Sequence, residues 1–393
     1  MEGDFIKIND ALLPLSWLYG SAVKVRNFCF DVGILKSRAF HMPVIAVGNI
    51  TVGGTGKTPH VEYLIRLLQK QFKVAMLSRG YKRKRKGFIV ADSSTTARDI
   101  GDEPYQVKQK FPLVTVAVDK KRVHGIEQLS TNDALLDVVL LDDAFQHRYV
   151  KPGINILLVD YHRLIIYDKL LPAGRLREPL NGKNRADIVI VTKCPKDLKP
   201  MEFRVIMKAM NLYPYQHLFF TTLCYEQLQP VFPGIARQEE SPLTTSLKGR
   251  NVLLLTGIAS PRQLLEDLTP LASSITPLTY PDHHSFRQKD IERINSTFAA
   301  MAAPRIIVTT EKDAARLAGS NGLSDDVRSH LYTLPVRIRF MQPEQEEKFN
   351  EIITGYVLKN SRNSILTKGK DENKSRYSQR AGNSSRTISF KNN

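Results

Sequence analysis

Lys57 and Thr58 close the run Val44 to Pro59, VIAVGNITVGGTGKTP, and their types suit phosphate chemistry. A lysine ammonium neutralises a transferring phosphate, and the adjacent hydroxyl ligates Mg²⁺. Gly53, Gly54, Thr55 and Gly56 precede them, and small residues let backbone N–H groups converge on phosphate oxygens. The strict spacing G-x-x-x-x-G-K-T asks for glycine at position 51, where this chain has Thr51. The plain alternative is a glycine-rich turn with an exposed lysine. Context favours a nucleotide-phosphate site, because an apolar strand-like run enters the turn and the helix-like HVEYLIRLLQK leaves it.

A second cluster fits the first. Val138 to Leu141 is an apolar run ending in Asp142 and Asp143, the Walker B form. A carboxylate at the end of a parallel strand faces the phosphate loop and can hold Mg²⁺ directly or through water. The alternative for Asp143 is a helix N-cap. Asp119 follows LVTVAV and should also lie at a strand end near the loop. Its plain reading is a helix cap or surface acid before Lys120, Lys121 and Arg122.

These groups need strands to carry them. Further strand candidates are 74–77, 113–117, 154–159, 188–191, 219–223, 252–255 and 306–308. Many are continuous apolar runs, as in strands covered by helices on both faces. Several end in polar clusters, among them Ser78-Arg79-Gly80-Tyr81 and Thr192-Lys193, and ligands in open α/β sheets bind at such ends. Thr192-Lys193 is similar to the base-binding loop of G proteins, but Pro195 replaces the aspartate that reads guanine, so guanine specificity is not expected.

The expected fold is α/β: a P-loop NTPase-type core with a mostly parallel sheet over 40–225, then a second, smaller α/β lobe over 226–358. Pro230 to Gly234 and the polar stretch Arg237 to Lys248 suit the boundary. Residues 1–39 are expected to supply an N-terminal amphipathic helix that associates with a membrane. Leu15, Leu18, Tyr19, Ala22, Val25, Cys29 and Val32 share one helical face there, widened by Trp17 and Phe28. The alternative is a helix packed on its own core. No run reaches the roughly 18 apolar residues of a membrane span, and a cleaved signal peptide is not expected.

The 393-residue chain is 42% hydrophobic with a net charge of +18, so a substantial core and anionic partners are expected. Residues 359–393 hold nine Lys or Arg against Asp371 and Glu372 and are rich in Ser and Asn, which reads as a disordered basic tail. Only three cysteines occur, Cys29, Cys194 and Cys224, far apart and with no C-x-x-C pair, so neither a disulfide framework nor a zinc knuckle is supported and a reducing setting fits.

The segments VGNITVGGTGKTP, SRGYKRK, DDAFQHR, LLPAGRLREPL, PDHHSF and TTEKDAARL, in this order over roughly residues 10–340, resemble the tetraacyldisaccharide 4′-kinase (lipid A 4′-kinase) family. The N-terminal LLPLSWLYG is similar to that family's membrane-associated helix, and Thr51 to its version of the loop. The resemblance implies ATP and Mg²⁺ as cofactors and transfer of the γ-phosphate to the 4′-hydroxyl of a tetraacyldisaccharide 1-phosphate, in lipid A biosynthesis. It implies an anionic glycolipid substrate, contact with a membrane surface, and a place at the cytoplasmic face of a bacterial inner membrane, peripheral or monotopic. No nucleic acid is expected.

The resemblance also implies roles for residues. Lys57 with Gly53, Gly54, Thr55, Gly56 and Thr58 would hold the nucleotide. Thr58, Asp142 and Asp143 would hold the metal. Asp119 resembles the family's catalytic base, working with His283 of PDHHSF, although His284 is adjacent; either the carboxylate orients the imidazole and raises its basicity or the imidazole tunes the carboxylate, and the sequence leaves open which takes the proton. Arg79 and Tyr81 resemble headgroup contacts; the alternative is a structural turn at Gly80. Apart from the resemblance, Arg175 and Arg177, beside Glu178 in the PAGRLREP loop, are expected to bind substrate, through a phosphate or nucleotide contact. Gln146 and His147 would support the Walker B acids or be ordinary helix surface. Lys82 to Lys86 would be a solvated face or hold acidic lipid. The competing function is a membrane-associated P-loop switch ATPase that positions protein partners. It normally carries a further lysine early in its loop, where this chain has Asn49-Ile50-Thr51-Val52.

Overall fold

A computed structural model describes residues 8–236, 238–239, 241–258, 261–282 and 284–361. The first part of the chain forms α1 (Leu13–Asp31), β1 (Val44–Gly48), α2 (Lys57–Leu68), β2 (Val74–Ser78), β3 (Ile89–Val90), α3 (Ala97–Ile100), α4 (Asp102–Lys110), β4 (Thr115–Val118), α5 (Arg122–Asn132), β5 (Val138–Leu141), β6 (Ile154–Asp160), β7 (Ile188–Thr192), α6 (Pro200–Met210) and β8 (His217–Tyr225). The second part forms β9 (Gln229–Pro230), α7 (Leu243–Ser246), β10 (Asn251–Thr256), α8 (Arg262–Leu268), β11 (Ser274–Thr279), α9 (Gln288–Ala299), β12 (Arg305–Thr310), α10 (Glu311–Leu317), α11 (Asp325–His330) and β13 (Leu331–Leu334). β14 (Val336–Phe340) and α12 (Pro343–Asn360) follow.

Nine strands make one sheet in the order β14-β8-β7-β6-β1-β5-β2-β4-β3. Its interior is parallel, and β3 and β14 close the two edges antiparallel. Every residue of β1, β2, β5 and β7 is buried, which explains their unbroken apolar sequence: helices cover both faces. β1 lies between β5 and β6, so the strand order reverses direction there. The crevice beyond the strand ends at such a point is where an α/β sheet receives its ligand. The mostly parallel α/β core expected from sequence is therefore present.

The second sheet has the order β11-β10-β12-β13-β9, parallel except for β9. The structure differs from the expected lobe 226–358 at its end. β14 leaves that lobe and pairs with β8, and α12 lies on the first sheet. Phe349, Ile353 and Val357, spaced four apart, are buried in the same cluster as Val61, Ile65, Phe219 and Ile338. Burying such side chains stabilises the return by about 1.5–3 kcal/mol each. α12 extends to Asn360, past the expected limit at 358, and the tail from residue 362 lies outside the described residues. The expected strand at 113–117 begins later, at Thr115, and Leu113 is 97% exposed.

α1 shows its apolar side to solvent. Trp17 is 70% exposed, Leu18 71% and Phe28 61%, with Leu15, Val25, Val32 and Ile34 also exposed. Of the expected face, Tyr19 and Cys29 turn partly inward. Ser16, Gly20 and Phe30 are the buried positions of the helix. Among the described residues no helix is long and apolar enough to cross a membrane.

The two sheets meet through charged pairs between α4 and α10. Lys110 contacts Glu311 and Glu62 at 2.7 Å each, Lys312 contacts Glu103 at 3.0 Å, and Arg316 Nε donates to Asp102 at 3.1 Å. Lys312 also contacts Asp282 at 3.0 Å, which ties the loop before α9 to the first part of the molecule.

Candidate active site

The loop between β1 and α2 is shaped from behind. Lys193 Nζ donates to the Gly54 carbonyl at 2.5 Å, and Thr192 Oγ1 donates to the Thr55 carbonyl at 3.1 Å. His60 Nδ1 lies 2.7 Å from the Gly56 carbonyl, while its Nε2 lies 3.1 Å from Thr221 Oγ1. Burial lowers His60 to about 4, so it is neutral and its Nδ1 proton goes to the carbonyl. In a planar trans peptide the N–H points opposite the C=O. Three successive carbonyls held on one side therefore turn the N–H groups of Thr55, Gly56 and Lys57 to the other, as an anion site requires. Gly53 (φ 109°) and Gly56 (φ 79°) adopt backbone conformations that side chains oppose. Lys193 and His60 contact the loop's carbonyls, and sequence reading gave neither of them a place in the site. Lys193 stands out in the sequence only as part of an incomplete base-binding motif, and His60 only as the first residue of the helix-like HVEYLIRLLQK.

Asp142 and Asp143 lie opposite the loop as expected. Lys57 Nζ is 3.6 Å from Asp143 Oδ1, and Arg177 Nη2 is 3.3 Å from the same oxygen. Burial resists ionisation of Asp143, but Lys57 and Arg177 outweigh it and hold the carboxyl below its usual range. Arg177 also donates to the Asn49 carbonyl at 3.1 Å and to the Asn49 side chain, which fixes the guanidinium beside the loop. Asp142 is 5% exposed and is pushed up to about 6, first by burial and then by Asp143. Ser78 Oγ donates to its Oδ2 at 3.3 Å, while Oδ1 is buried with no hydrogen-bond partner. An orphaned carboxylate oxygen beside a second carboxylate and a hydroxyl fits a hard divalent cation such as Mg²⁺. Thr58 stands in the first turn of α2, half-buried. Among the described residues no cluster of three or more His, Cys, Asp or Glu could bind a metal by itself. Mg²⁺ commonly completes its shell with phosphate and water instead.

Asp119 is 4% exposed directly after β4. Its Oδ1 accepts the Lys121 N–H at 2.8 Å in the turn ahead of α5, whose N-cap is Lys121, so it is neither the helix cap nor a surface acid. Its Oδ2 lies 2.6 Å from Nδ1 of His124, a residue that sequence reading did not single out. Arg122, 2% exposed, donates to the carbonyls of Asp119 (2.7 Å) and Asp142 (3.1 Å), joining the two acidic strand ends. His283 lies outside the described residues. Its neighbour His284 stacks on Tyr280 with 4.8 Å between ring centres and contacts Asp290 at 2.9 Å.

The remaining expected residues divide. Arg79 and Tyr81 are exposed after β2, with Lys82 Nζ 5.8 Å above the Tyr81 ring. Arg83 is not free in solvent: it donates to the Val118 and Gly87 carbonyls. Arg175 is exposed, and its carbonyl accepts the Val52 N–H at 2.9 Å. It lines a cavity of about 130 Å³ above the loop with Gly53, Gly54, Asp160, Lys193 and, from α8, Arg262. A larger cavity of about 650 Å³ lies at the far end of α2 and touches none of these groups. Glu178 is buried against Arg185 at 2.7 Å. The Gln146 carbonyl accepts Arg26 of α1 at 3.2 Å. His147 is lowered to about 4, by burial first and then by Arg122, Arg26 and Arg79.

α1 supports both loops that frame the acids. Tyr19 donates to the Arg177 carbonyl at 2.8 Å, Ser16 to that of Leu170 at 3.0 Å, and Arg148 to that of Asn27 at 2.9 Å. The arrangement can hold a nucleotide polyphosphate on backbone N–H groups, a cation between it and two carboxylates, and a buried carboxylate, Asp119, linked to the metal-facing strand through Arg122.

Comparisons with known proteins agree with this chemistry. Residues 8–356 match the family described as "LpxK: Tetraacyldisaccharide-1-P 4'-kinase". A protein of Phocaeicola vulgatus named "Tetraacyldisaccharide 4'-kinase" is 57% identical over 93% of this chain and 99% of its own. One of Bacteroides thetaiotaomicron with the same name is 52% identical over 95% and 100%. The crystal structure of LpxK from Aquifex aeolicus in complex with ATP superimposes with a TM-score of 0.67 and 31% identity, over 88% of this chain and 98% of that one.

Proposed function

The chain belongs to the tetraacyldisaccharide-1-P 4′-kinase family, and from that premise we propose how its own residues carry the reaction. It is an ATP-dependent lipid A 4′-kinase, transferring phosphate to the 4′-hydroxyl of a tetraacyldisaccharide 1-phosphate. The switch-ATPase alternative has no support among these matches. In our assignment the N–H face of residues 53–58 receives the β- and γ-phosphates, with Lys57 on the transferring group. Thr58, Asp142 and Asp143 would hold Mg²⁺, which would supply charge neutralisation at the transferring phosphate. Arg177, held by Asn49 and Asp143, adds a guanidinium beside the phosphates. Asp119 accepts the 4′-hydroxyl proton, with His283 as its catalytic partner. Arg79, Tyr81 and Arg175 contact the glycolipid. The lobe carrying α8 and α10 closes over the site and limits hydrolysis of ATP.

The observation that carries the assignment is the pairing of Lys57 and Arg177 on Asp143 beside the orphaned oxygen of Asp142, at the end of a loop whose Gly54, Thr55 and Gly56 carbonyls are tied back. The solvent-facing Trp17, Leu18 and Phe28 support a further reading, in which α1 lies in a membrane surface and the enzyme works on lipid that stays in the cytoplasmic face of the inner membrane.

The test is transfer of label from γ-labelled ATP to tetraacyldisaccharide 1-phosphate in mixed micelles with Mg²⁺. Asp119→Ala should lower kcat by about 10²–10⁴-fold, the range of general-base catalysis, with ATP affinity retained. Wild-type turnover in that variant would remove Asp119 as base.

A further inference from the structure

We propose that His124 is a positioning residue for phosphate transfer, holding the Asp119 carboxylate in place through a hydrogen bond from Nδ1. The inference rests on the reading of Asp119 as the base.

The start of α5 is built around that one side chain. Lys121 N–H reaches Oδ1 at 2.8 Å, His124 Nδ1 reaches Oδ2 at 2.6 Å, and Arg122 anchors the carbonyl of the same residue at 2.7 Å. The close approach depends on residue 125 being glycine. A Cβ there would lie 2.8 Å from Leu77 Cδ2 and 3.1 Å from Asp119 Cβ, so a larger residue would push α5 away from the strand ends. The imidazole ring is set edge-on to Phe88, 6.3 Å between centres. Its side chain is 51% exposed, whereas that of Asp119 is 6% exposed, so the histidine is the solvent-side partner of a buried acid.

The chemistry follows from the carboxylate's shape. The terminal torsion of an aspartate is broad and two-fold, so an unclamped carboxylate samples orientations that miss the substrate. A base must lie about 2.6–3.2 Å from the oxygen whose proton it takes. One donor on each oxygen fixes the plane and still leaves lone pairs for an acceptor hydroxyl. The carboxylate partner keeps a proton on the facing nitrogen, Nδ1. As the 4′-oxygen attacks the γ-phosphorus, its proton passes to a free lone pair of Asp119. The bond from the γ-phosphorus to the bridging oxygen breaks with its electron pair on ADP, and the Nδ1 proton of His124 stays where it is.

The test compares the full chain with His124→Ala, His124→Asn, His124→Gln and Asp119→Ala in the micellar transfer assay, with ATP binding and thermal unfolding measured in parallel. His124→Ala should lower kcat by about 10–100-fold with the KM for ATP within about twofold, the pattern of a group acting only on the transferring step. His124→Asn keeps an amide donor where Nδ1 stands and should recover most of the loss. His124→Gln carries its donor one bond farther and should not. On the residual turnover of Asp119→Ala, adding His124→Ala should change little, because the histidine acts through the aspartate. Wild-type kcat in His124→Ala overturns the proposal, as do equal losses in the Asn and Gln variants, which also decide the matter if the Ala variant does not fold. If Asp119→Ala keeps wild-type turnover, the base reading itself falls and this inference with it. If that variant is inactive while His124→Ala is unimpaired, only the role of His124 falls.

Discussion

Replacing Lys193 with methionine tests whether the phosphate loop is shaped from behind. The ammonium makes two contacts, 2.7 Å to Asp160 and 2.5 Å to the Gly54 carbonyl, and methionine keeps the length without either. Asp160 sits at about 2 against an ordinary 3.8: burial opposes this, and His162 and then Lys193 outweigh it. At 1.36 kcal/mol per pH unit, that depression is worth about 2.5 kcal/mol for all partners together. The Asp160 side chain is only 15% exposed, so little of it is lost to screening. Lys193 shares the effect with His162, and we assign it about 1 kcal/mol, with a similar amount for the charge-assisted bond to Gly54. The variant should therefore lose about 2 kcal/mol of stability at neutral pH, a fall of a few degrees in Tm. The sign with pH is fixed by the depressed acid: its contribution is complete above about pH 4 and disappears as pH falls towards 2. A freed Gly54 peptide must be ordered again on binding, so calorimetry should show ATP affinity about tenfold weaker, or 1.4 kcal/mol. Asp160→Asn spares the Gly54 contact and should lower Tm with a smaller effect on ATP. An unchanged ATP affinity in Lys193→Met would refute the reasoning, whatever the change in Tm.

Two further outcomes follow from packing and exposure. Gly48→Ala would place a Cβ 2.7 Å from both Cβ and N of Phe145. The cost should be about 1–3 kcal/mol of overpacking, and the displaced segment carries Asp142 and Asp143, so the Mg²⁺ concentration for half-maximal transfer should rise with the fall in Tm; an unshifted Mg²⁺ requirement would refute the coupling. Combined Trp17→Ser, Leu18→Gln and Phe28→Ser should leave Tm unchanged, since all three are exposed, while weakening sedimentation with anionic vesicles by at least about tenfold. Full vesicle binding by that variant would remove α1 as the membrane-contacting element.

Much of the site was legible because a few local patterns carry it. The Gly-rich turn between strand and helix placed Lys57, and an apolar run ending in two aspartates placed Asp142 and Asp143 within reach of it. What escaped reading depends on contacts between distant segments. His60 touches Gly56 one helical turn away, but it also meets Thr221 on β8, and no short pattern announces that. His124 reaches Asp119 only because α5 begins at Arg122 and Gly125 lets the helix approach. The return of β14 was hidden for another reason. VRIRF alternates, as an edge strand does, and alternation does not say which of two sheets it will join. α1 gave the opposite difficulty: its apolar residues were plain, but a core helix and a surface helix share that pattern, and only exposure separates them.

The antiparallel pairing of Val336 with Tyr225 has a consequence for how the molecule is assembled. The chain leaves the nine-stranded sheet at one residue and re-enters at its direct neighbour, so everything between them is, topologically, the connection of a single β-hairpin. Removing 226–335 and joining the two ends by a tight turn would keep the β8–β14 ladder and leave α12 seated on its own hydrophobic face. The segment 226–335 is thus a cassette, one that could be gained, lost or exchanged without re-threading the catalytic core. It is held by two adjacent strands rather than one tether, which opposes free swivelling about the junction.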